Sequence, residues 1–348
     1  METKIWHVTK ENEIQTYLEA AKLLQAGETV AFPTETVYGI GADATNEQAV
    51  AKIYEAKGRP SDNPLIVHVA DQSQIHEFVQ KIPSNAKKLM KEFWPGPLTI
   101  ILPLQPERLA TNVTAGLDSV GVRMPEHPVA LGLLAVAGIP VAAPSANQSG
   151  KPSPTSGEHV AEDLLGRISG IVFAGKTGVG LESTVIDCTL EPPAILRPGG
   201  ISQEEIEAVI GPVISEAKEM TQQEAPKAPG MKYTHYAPKA PLAIVKGDTT
   251  FFQKQIDLAE KRGEVVGVLV SDELEEHLRK SEYMIGLGSK AHPEEIAYRL
   301  YDRLRYFDHT PVTLIYTEPF EKVGIGEAVM NRLDKAAGGR YIKQSEEN

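Results

Sequence analysis

Short β-rich apolar runs alternate with helix-period stretches along most of these 348 residues, and one proline-dense segment breaks the alternation. In the first part the strand-like runs are Glu28–Phe32, Leu65–Val69, Leu98–Leu102, Val120–Arg123, Pro140–Ala143, Gly170–Ala174 and Ser183–Leu190. Between them, Asn46–Lys57 carries Val50, Ile53 and Tyr54 at helical spacing and stops at Gly58. Ser84–Phe93 and Pro128–Ala137 repeat that pattern. A chain written this way buries a sheet beneath helices, which is an α/β fold. Several links are too short for a crossover helix, so the sheet is expected to mix parallel and antiparallel neighbours.

The break runs from Glu224 to Pro241, where four prolines and few aliphatics describe an extended spacer. Beyond it the alternation restarts: strand Leu242–Val245, helix Phe251–Lys261, strand Val265–Val270, helix Asp272–Lys280, helix Glu294–Phe307, strand Val312–Tyr316 and helix Gly326–Ala337. That order predicts a smaller, parallel, Rossmann-like α/β domain. At roughly 100–200 residues per domain the length also suits two domains. The expected division is 1–212, a linker at 213–240, and 241–346.

Charge and composition then narrow the function classes. The net charge of −12 argues against a broad nucleic-acid-binding face, which needs a basic stripe, but leaves room for a local cationic pocket. No apolar run approaches the ~20 residues of a membrane span. The start, Met1-Glu-Thr-Lys-Ile-Trp, has no signal pattern, so a cytoplasmic protein is expected. Cys188 is the sole cysteine, which excludes an internal disulfide or a multi-cysteine zinc site. Its apolar neighbours make it buried filler rather than a nucleophile.

Gly170-Ile-Val-Phe-Ala-Gly-Lys-Thr177 fits the P-loop pattern letter for letter, but Ile-Val-Phe is strand-like and no helix pattern follows Lys176. The match is read as accidental. More telling is Lys57-Gly-Arg59-Pro-Ser-Asp-Asn63-Pro-Leu-Ile-Val-His68 at a helix-to-strand turn. Taken singly, Lys57 is a cation favoured by a helix C-terminus, and Arg59 and Asn63 are loop residues. Together they offer an ammonium and a guanidinium fork suited to phosphate oxygens. Ser145-Ala-Asn147-Gln-Ser-Gly-Lys-Pro-Ser153 opens from a strand end and could equally be a surface turn. Arg123 and Arg197 each close an apolar strand, where burial is expensive unless an anion is met. Strand ends carrying cations and hydroxyls can converge on one crevice, and a phosphate-bearing ligand is its simplest tenant.

Five segments resemble the YrdC-like domain of threonylcarbamoyl-AMP synthases. They are Phe32-Pro-Thr-Glu-Thr36-Val-Tyr-Gly-Ile-Gly, Lys57-Gly-Arg59-Pro-x-x-Asn63-Pro-Leu, Trp94-Pro-Gly-Pro-Leu-Thr, Ala143-Pro-Ser145-Ala-Asn147-x-Ser-Gly and Glu182-Ser-Thr-Val-x-Asp. Pro229 to Pro238 and Gly326 to Ala337 are similar to the long form of that family, which adds a C-terminal domain. The resemblance implies a YrdC-like twisted mixed sheet and an enzyme that joins L-threonine, bicarbonate and ATP into threonylcarbamoyl-adenylate and pyrophosphate, with Mg²⁺. The adenylate would pass to a separate tRNA-modifying transferase acting beside the anticodon.

By the same resemblance Lys57, Arg59, Ser145 and Asn147 form the catalytic quartet. Asn63, Ser119, Ser153, Arg197 and Tyr236 join Arg59 and Ser145 on the ATP side. Thr36, His68, Arg123, the backbone at Ala143, and Ser183 hold threonine. No protein metal ligand is implied. Tyr236 and its linker would either fold over the crevice as a lid or merely pack against a domain surface. A different class, an RNA- or nucleotide-binding module without chemistry, remains as the alternative, with weak RNA binding as its partner. It should show aromatics for base stacking, and aromatics are only 6% of the chain.

Overall fold

In the first part of the chain the strand-like runs become strands, joined by others the periodicity does not reveal. The computed structural model describes residues 1–215 and 235–344. The strands are β1 (Lys4–His7), β2 (Val30–Phe32), β3 (Gly39–Asp43), β4 (Ile66–His68), β5 (Leu98–Pro103), β6 (Ser119–Arg123), β7 (Val141–Ala142), β8 (Gly170–Phe173), β9 (Thr184–Asp187), β10 (Ala194–Arg197) and β11 (Ile214–Ser215). They form one sheet in the order β1-β8-β2-β3-β7-β4-β6-β5-β9-β10-β11. The sheet is mixed, as expected from the short links: β4 runs parallel to β6 but antiparallel to β7, and β5 antiparallel to β6 but parallel to β9.

Side chains alternate across this sheet, so neighbouring residues enter different cores. Val30 and Phe32 pack with Leu24, Leu133 and Leu134 from helices Glu13–Gln25 and Pro128–Ala137. Ala31 between them packs with Ile53 and Leu89 from helices Glu47–Lys57 and Ser84–Phe93. Strand β3 escaped the sequence reading because Gly39 and Gly41 dilute its β pattern. Gly41 is required there: a Cβ would lie 2.7 Å from Val141 Cγ1 and 2.8 Å from Phe32. Helices Glu13–Gln25, Gly157–Leu164 and Gln203–Ile210 were also missed. After β8 the chain reaches β9 without a helix, so Lys176 sits in a loop and the P-loop look-alike is no P-loop. Cys188 is buried, and burial pushes its thiol up to about 12.

The chain divides into two units, Met1–Ser149 with Ser153–Lys232, and Gly150–Pro152 with Tyr233–Asn348. Most of the expected linker at 213–240, including Tyr233 and Thr234, lies outside the described residues. The second unit has strands β12 (Leu242–Lys246), β13 (Val266–Val270), β14 (Met284–Gly286), β15 (Leu314–Thr317) and β16 (Tyr341–Lys343). They form a parallel sheet in the order β14-β13-β15-β12-β16. The helix expected over Asp272–Lys280 is shorter, ending at Glu275, because the chain turns to bury Leu278. Gly150–Pro152 is tied into this unit: Ala237 N donates to Gly150 O at 2.9 Å. Buried Arg305 donates to Pro152 O through Nε at 3.1 Å and Nη2 at 2.6 Å. Among the described residues no helix is long and apolar enough to cross a membrane.

Candidate active site

Helix Glu47–Lys57 begins at Asn46, whose side chain accepts from Gln48 N and Ala49 N. It ends where Gly58 turns the chain at φ 61°. That stop puts Lys57 on the last turn, yet its side chain is only 4% exposed. A buried ammonium is costly unless its protons are taken up. Here Nζ donates to Ser145 O at 2.5 Å and Asn147 O at 2.7 Å, with Asn147 Oδ1 at 3.5 Å. Ser145 Oγ donates to Asn147 Oδ1 at 2.6 Å, and Ser149 N donates back to Lys57 O at 2.9 Å. Arg59 Nη2 donates to Asn63 O at 3.3 Å, and its guanidinium lies 5.9 Å from the Tyr54 ring centre. Tyr54 also donates to Asn63 O, and burial pushes its hydroxyl up to about 12. The Lys57–Asn63 turn and the Ser145–Asn147 loop are thus one structure, rich in cations and polar groups.

A second cluster forms where β4 and β6 run side by side with His68 opposite Arg123. Arg123 donates through Nη1 to Thr36 Oγ1 at 2.9 Å, through Nη2 to Glu35 Oε1 at 2.6 Å and through Nε to Gly96 O at 3.3 Å. A guanidinium has five N–H donors. These three bonds therefore leave two of Arg123's donors without a hydrogen-bond partner among the described residues, one on each terminal nitrogen. Donors on two neighbouring guanidinium nitrogens are what a carboxylate uses when it bonds in bidentate fashion. Thr36 is steadied by Thr34, whose Oγ1 lies 2.7 Å from Thr36 Oγ1 and donates to Val37 O. His68 is buried, and burial together with the Arg123 charge holds its imidazole down to about 3. Its Nδ1 lies 3.2 Å from Ile66 O. A carbonyl can only accept, so that bond puts the proton on Nδ1 and leaves Nε2 an acceptor.

Ser183 borders β9. Its Oγ lies 2.8 Å from Thr99 Oγ1, and Arg197 donates to Ser183 O through Nε at 3.1 Å and Nη2 at 2.9 Å. This closeness depends on Gly199, where a Cβ would fall 2.3 Å from Ser183 C and Thr184 N. Ser153 Oγ donates to Glu182 Oε1 at 2.5 Å, next to Ser183 in the chain. Ala143 N donates to Ile66 O at 2.9 Å, tying its backbone to β4.

Most of the residues singled out in the sequence therefore fall into three bonded sets: Lys57, Arg59, Asn63, Ser145 and Asn147; Thr36, His68 and Arg123; and Ser183 with Arg197. Ser153 and Ala143 adjoin them. Ser119 opens β6 opposite Pro103, at the other end of the strand from Arg123. Tyr236 lies in the second unit, 5% exposed at φ 66°, its ring 5.3 Å from that of Tyr301 and 5.5 Å from the Arg332 guanidinium. Sequence reasoning missed Thr34, Glu35, Thr99 and Glu182. The one available signal was a carboxylate at Glu35 inside an otherwise hydroxyl-rich and aromatic motif. Among the described residues no group of three or more His, Cys, Asp or Glu could hold a metal ion.

Fold and site together define a class: a YrdC-like α/β domain with buried cations among hydroxyl and carbonyl groups, followed by a parallel α/β unit. A family model described as "Telomere recombination" (Sua5, YciO and YrdC proteins) matches residues 22–199. A second, described as the threonylcarbamoyl-AMP synthase C-terminal domain, matches residues 201–338. The chain belongs to the threonylcarbamoyl-AMP synthase family, in its two-domain form. It is 54% identical to the threonylcarbamoyl-AMP synthase of Bacillus subtilis (strain 168), covering 99% of this chain and 100% of the relative. The corresponding protein of Pyrococcus abyssi is 49% identical, covering 93% of this chain and 94% of the relative. The crystal structure of P. abyssi Sua5 complexed with L-threonine superimposes with a TM-score of 0.92 at 47% identity, covering 99% of this chain and all of that one.

Proposed function

We propose that this chain makes threonylcarbamoyl-adenylate and pyrophosphate from L-threonine, bicarbonate and ATP, with both substrate subsites built from the first unit. The observation that carries the assignment of residues is buried Arg123, which keeps two N–H donors beside Thr36 and neutral His68. Arg123 takes the threonine carboxylate, while Thr36, Ser183 and His68 Nε2 meet the side-chain hydroxyl. The Lys57, Arg59, Asn63, Ser145 and Asn147 set takes the triphosphate, with Ser153 and Arg197 beside it.

The chemistry asks for no covalent nucleophile. A carbamate oxygen attacks the α-phosphorus and pyrophosphate leaves, so the protein's part is alignment and charge neutralisation. Lys57, Arg59 and Arg197 supply fixed positive charge as negative charge builds on the leaving pyrophosphate. The described residues suit a Mg²⁺ that arrives on the phosphates better than one held by a protein cage, since no acidic cluster gathers there. The product is then a mixed anhydride for a separate transferase that modifies the adenosine beside the tRNA anticodon, in the cytoplasm.

A non-catalytic RNA-binding reading is not favoured. An RNA binder has no use for a buried Arg presenting a carboxylate fork among hydroxyls, and the net charge is −12. Calorimetric titration tests the two subsites. Arg123→Lys and Ser183→Ala are expected to weaken threonine at least about tenfold and spare ATP; Ser145→Ala should do the reverse. Loss of both ligands in every variant, or of neither, would sink the assignment.

A further inference from the structure

Glu35 has no role in the scheme above, yet it is bonded directly to the residue that carries the scheme. Its Oε1 accepts the 2.6 Å bond from Arg123, in a pair whose side chains are 5% and 12% exposed. Its Oε2 is buried and has no hydrogen-bond partner among the described residues. A buried carboxylate oxygen without a donor is destabilising, and such atoms in a native fold call for an explanation. The backbone pins the residue in place, because Glu35 O accepts from Gly178 N at 3.0 Å and Val179 N at 2.7 Å. The charged and titratable groups around it are Arg123 from β6, His68 paired with Arg123 on β4, and His127 at the start of helix Pro128–Ala137, whose ring feels the Glu35 charge.

An amino acid carries its ammonium and its carboxylate on one carbon. A threonine carboxylate bonded to Arg123 therefore brings the ammonium to the groups beside Arg123, and an ammonium has only donors to offer. Thr36 and neutral His68 can accept without taking a charge. Glu35 Oε2 can accept and also neutralise. Carbamate formation demands more than a partner, because an ammonium has no lone pair with which to attack.

We propose that Glu35 binds the threonine ammonium through Oε2 and takes its proton as the amine attacks bicarbonate. The N–C bond forms while the C–OH bond of bicarbonate breaks. The ammonium gives up two protons: one leaves with that hydroxide as water, and the other ends on Glu35 Oε2. The products are the carbamate anion, water and a neutral Glu35, with one negative charge overall on each side. This role rests on the threonine subsite proposed above.

Glu35→Gln tests it, since the amide keeps an acceptor for Arg123 and removes the base. Forward synthesis is expected to fall about 10²–10⁴-fold, the range for losing a positioned proton acceptor. The variant should also lose the low-pH limb that a carboxylate base imposes on the wild-type rate. ATP formation from supplied threonylcarbamoyl-adenylate and pyrophosphate involves no amine proton and should stay within about fivefold of wild type. Glu35→Asp, which restores a carboxylate, should recover at least about tenfold of the lost forward rate. Equal losses in both directions with an unchanged pH profile would show that Glu35 only holds Arg123, and would overturn the proposal. So would an undiminished forward rate in Glu35→Gln. Threonine titrations of His68→Asn and Ser183→Ala separate the two levels. If neither weakens threonine, the subsite reading fails and the Glu35 role fails with it; if both do, the Glu35 results stand on their own.

Discussion

Replacing Lys57 by methionine keeps most of the aliphatic stem and deletes the ammonium. In the structure that buried ammonium bridges Ser145 O and Asn147 O at 2.5 and 2.7 Å. Each charge-assisted bond of this kind is worth about 1.5–3 kcal/mol. Water that enters the shortened site recovers part of the loss, so the variant should be less stable by about 3 kcal/mol. A domain with about 5–15 kcal/mol in hand stays folded after that loss. The effect on the reaction is separate. Losing one preorganised charge donor at the triphosphate costs about 2.7–4 kcal/mol, or about 10²–10³ in kcat/KM. Urea unfolding measures the first quantity by linear extrapolation, and pyrophosphate release measures the second at a temperature where the variant is fully folded. A variant as stable as its parent would contradict the carbonyl clamp. A rate loss below tenfold would contradict the charge role.

Three further outcomes are expected. Lys176→Ala, in the P-loop look-alike, should change the rate by less than about twofold, because no helix follows to make a phosphate cradle; steady-state kinetics decides. Gly199→Ala should displace Ser183, since its Cβ would fall 2.3 Å from Ser183 C, with threonine affinity and stability falling together by about 2 kcal/mol or more in calorimetry and urea unfolding. His68 should make stability fall with acid: the unfolded chain takes up the proton near the ordinary 6.5, whereas the folded state refuses it until about 3. Its contribution is thus complete above 6.5 and shrinks as pH drops towards 3, losing about 2 kcal/mol between pH 7 and 5. Denaturant titrations should show that part of the slope vanish in His68→Asn.

What the sequence disclosed, and what it withheld, follow from range. Lys57 closing a helix and Arg123 closing a strand are local anomalies, visible because a cation sits where burial is expected. The Ser145–Asn147 loop was visible as a strand ending in hydroxyl and amide groups. That Lys57 and Ser145 meet was not, because 88 residues separate them and only the sheet order brings them together. Helix Glu13–Gln25 has Tyr17, Ala20, Ala21 and Leu24 on one buried face, but two of the four are alanines and the period is faint. Strand β3 is hidden by glycines that close packing with Val141 and Phe32 demands. Glu35 stands in plain view between Thr34 and Thr36 in the sequence. Its importance appears only when one oxygen is seen on Arg123 and the other without a partner. Helix Asp272–Glu275 is shorter than its pattern suggests because no Gly or Pro at Glu276-His277-Leu278 marks the turn that ends it.

Turnover of ATP labelled at the α-phosphorus, with threonine and bicarbonate omitted in turn, tests the central claim most directly. With both present, label should pass into an adenylate that carries threonine, while the unlabelled β- and γ-phosphates leave together as pyrophosphate. Omitting either should abolish that transfer. Release of orthophosphate from the γ-position, or equal turnover without threonine, would contradict adenylyl transfer to a threonine carbamate.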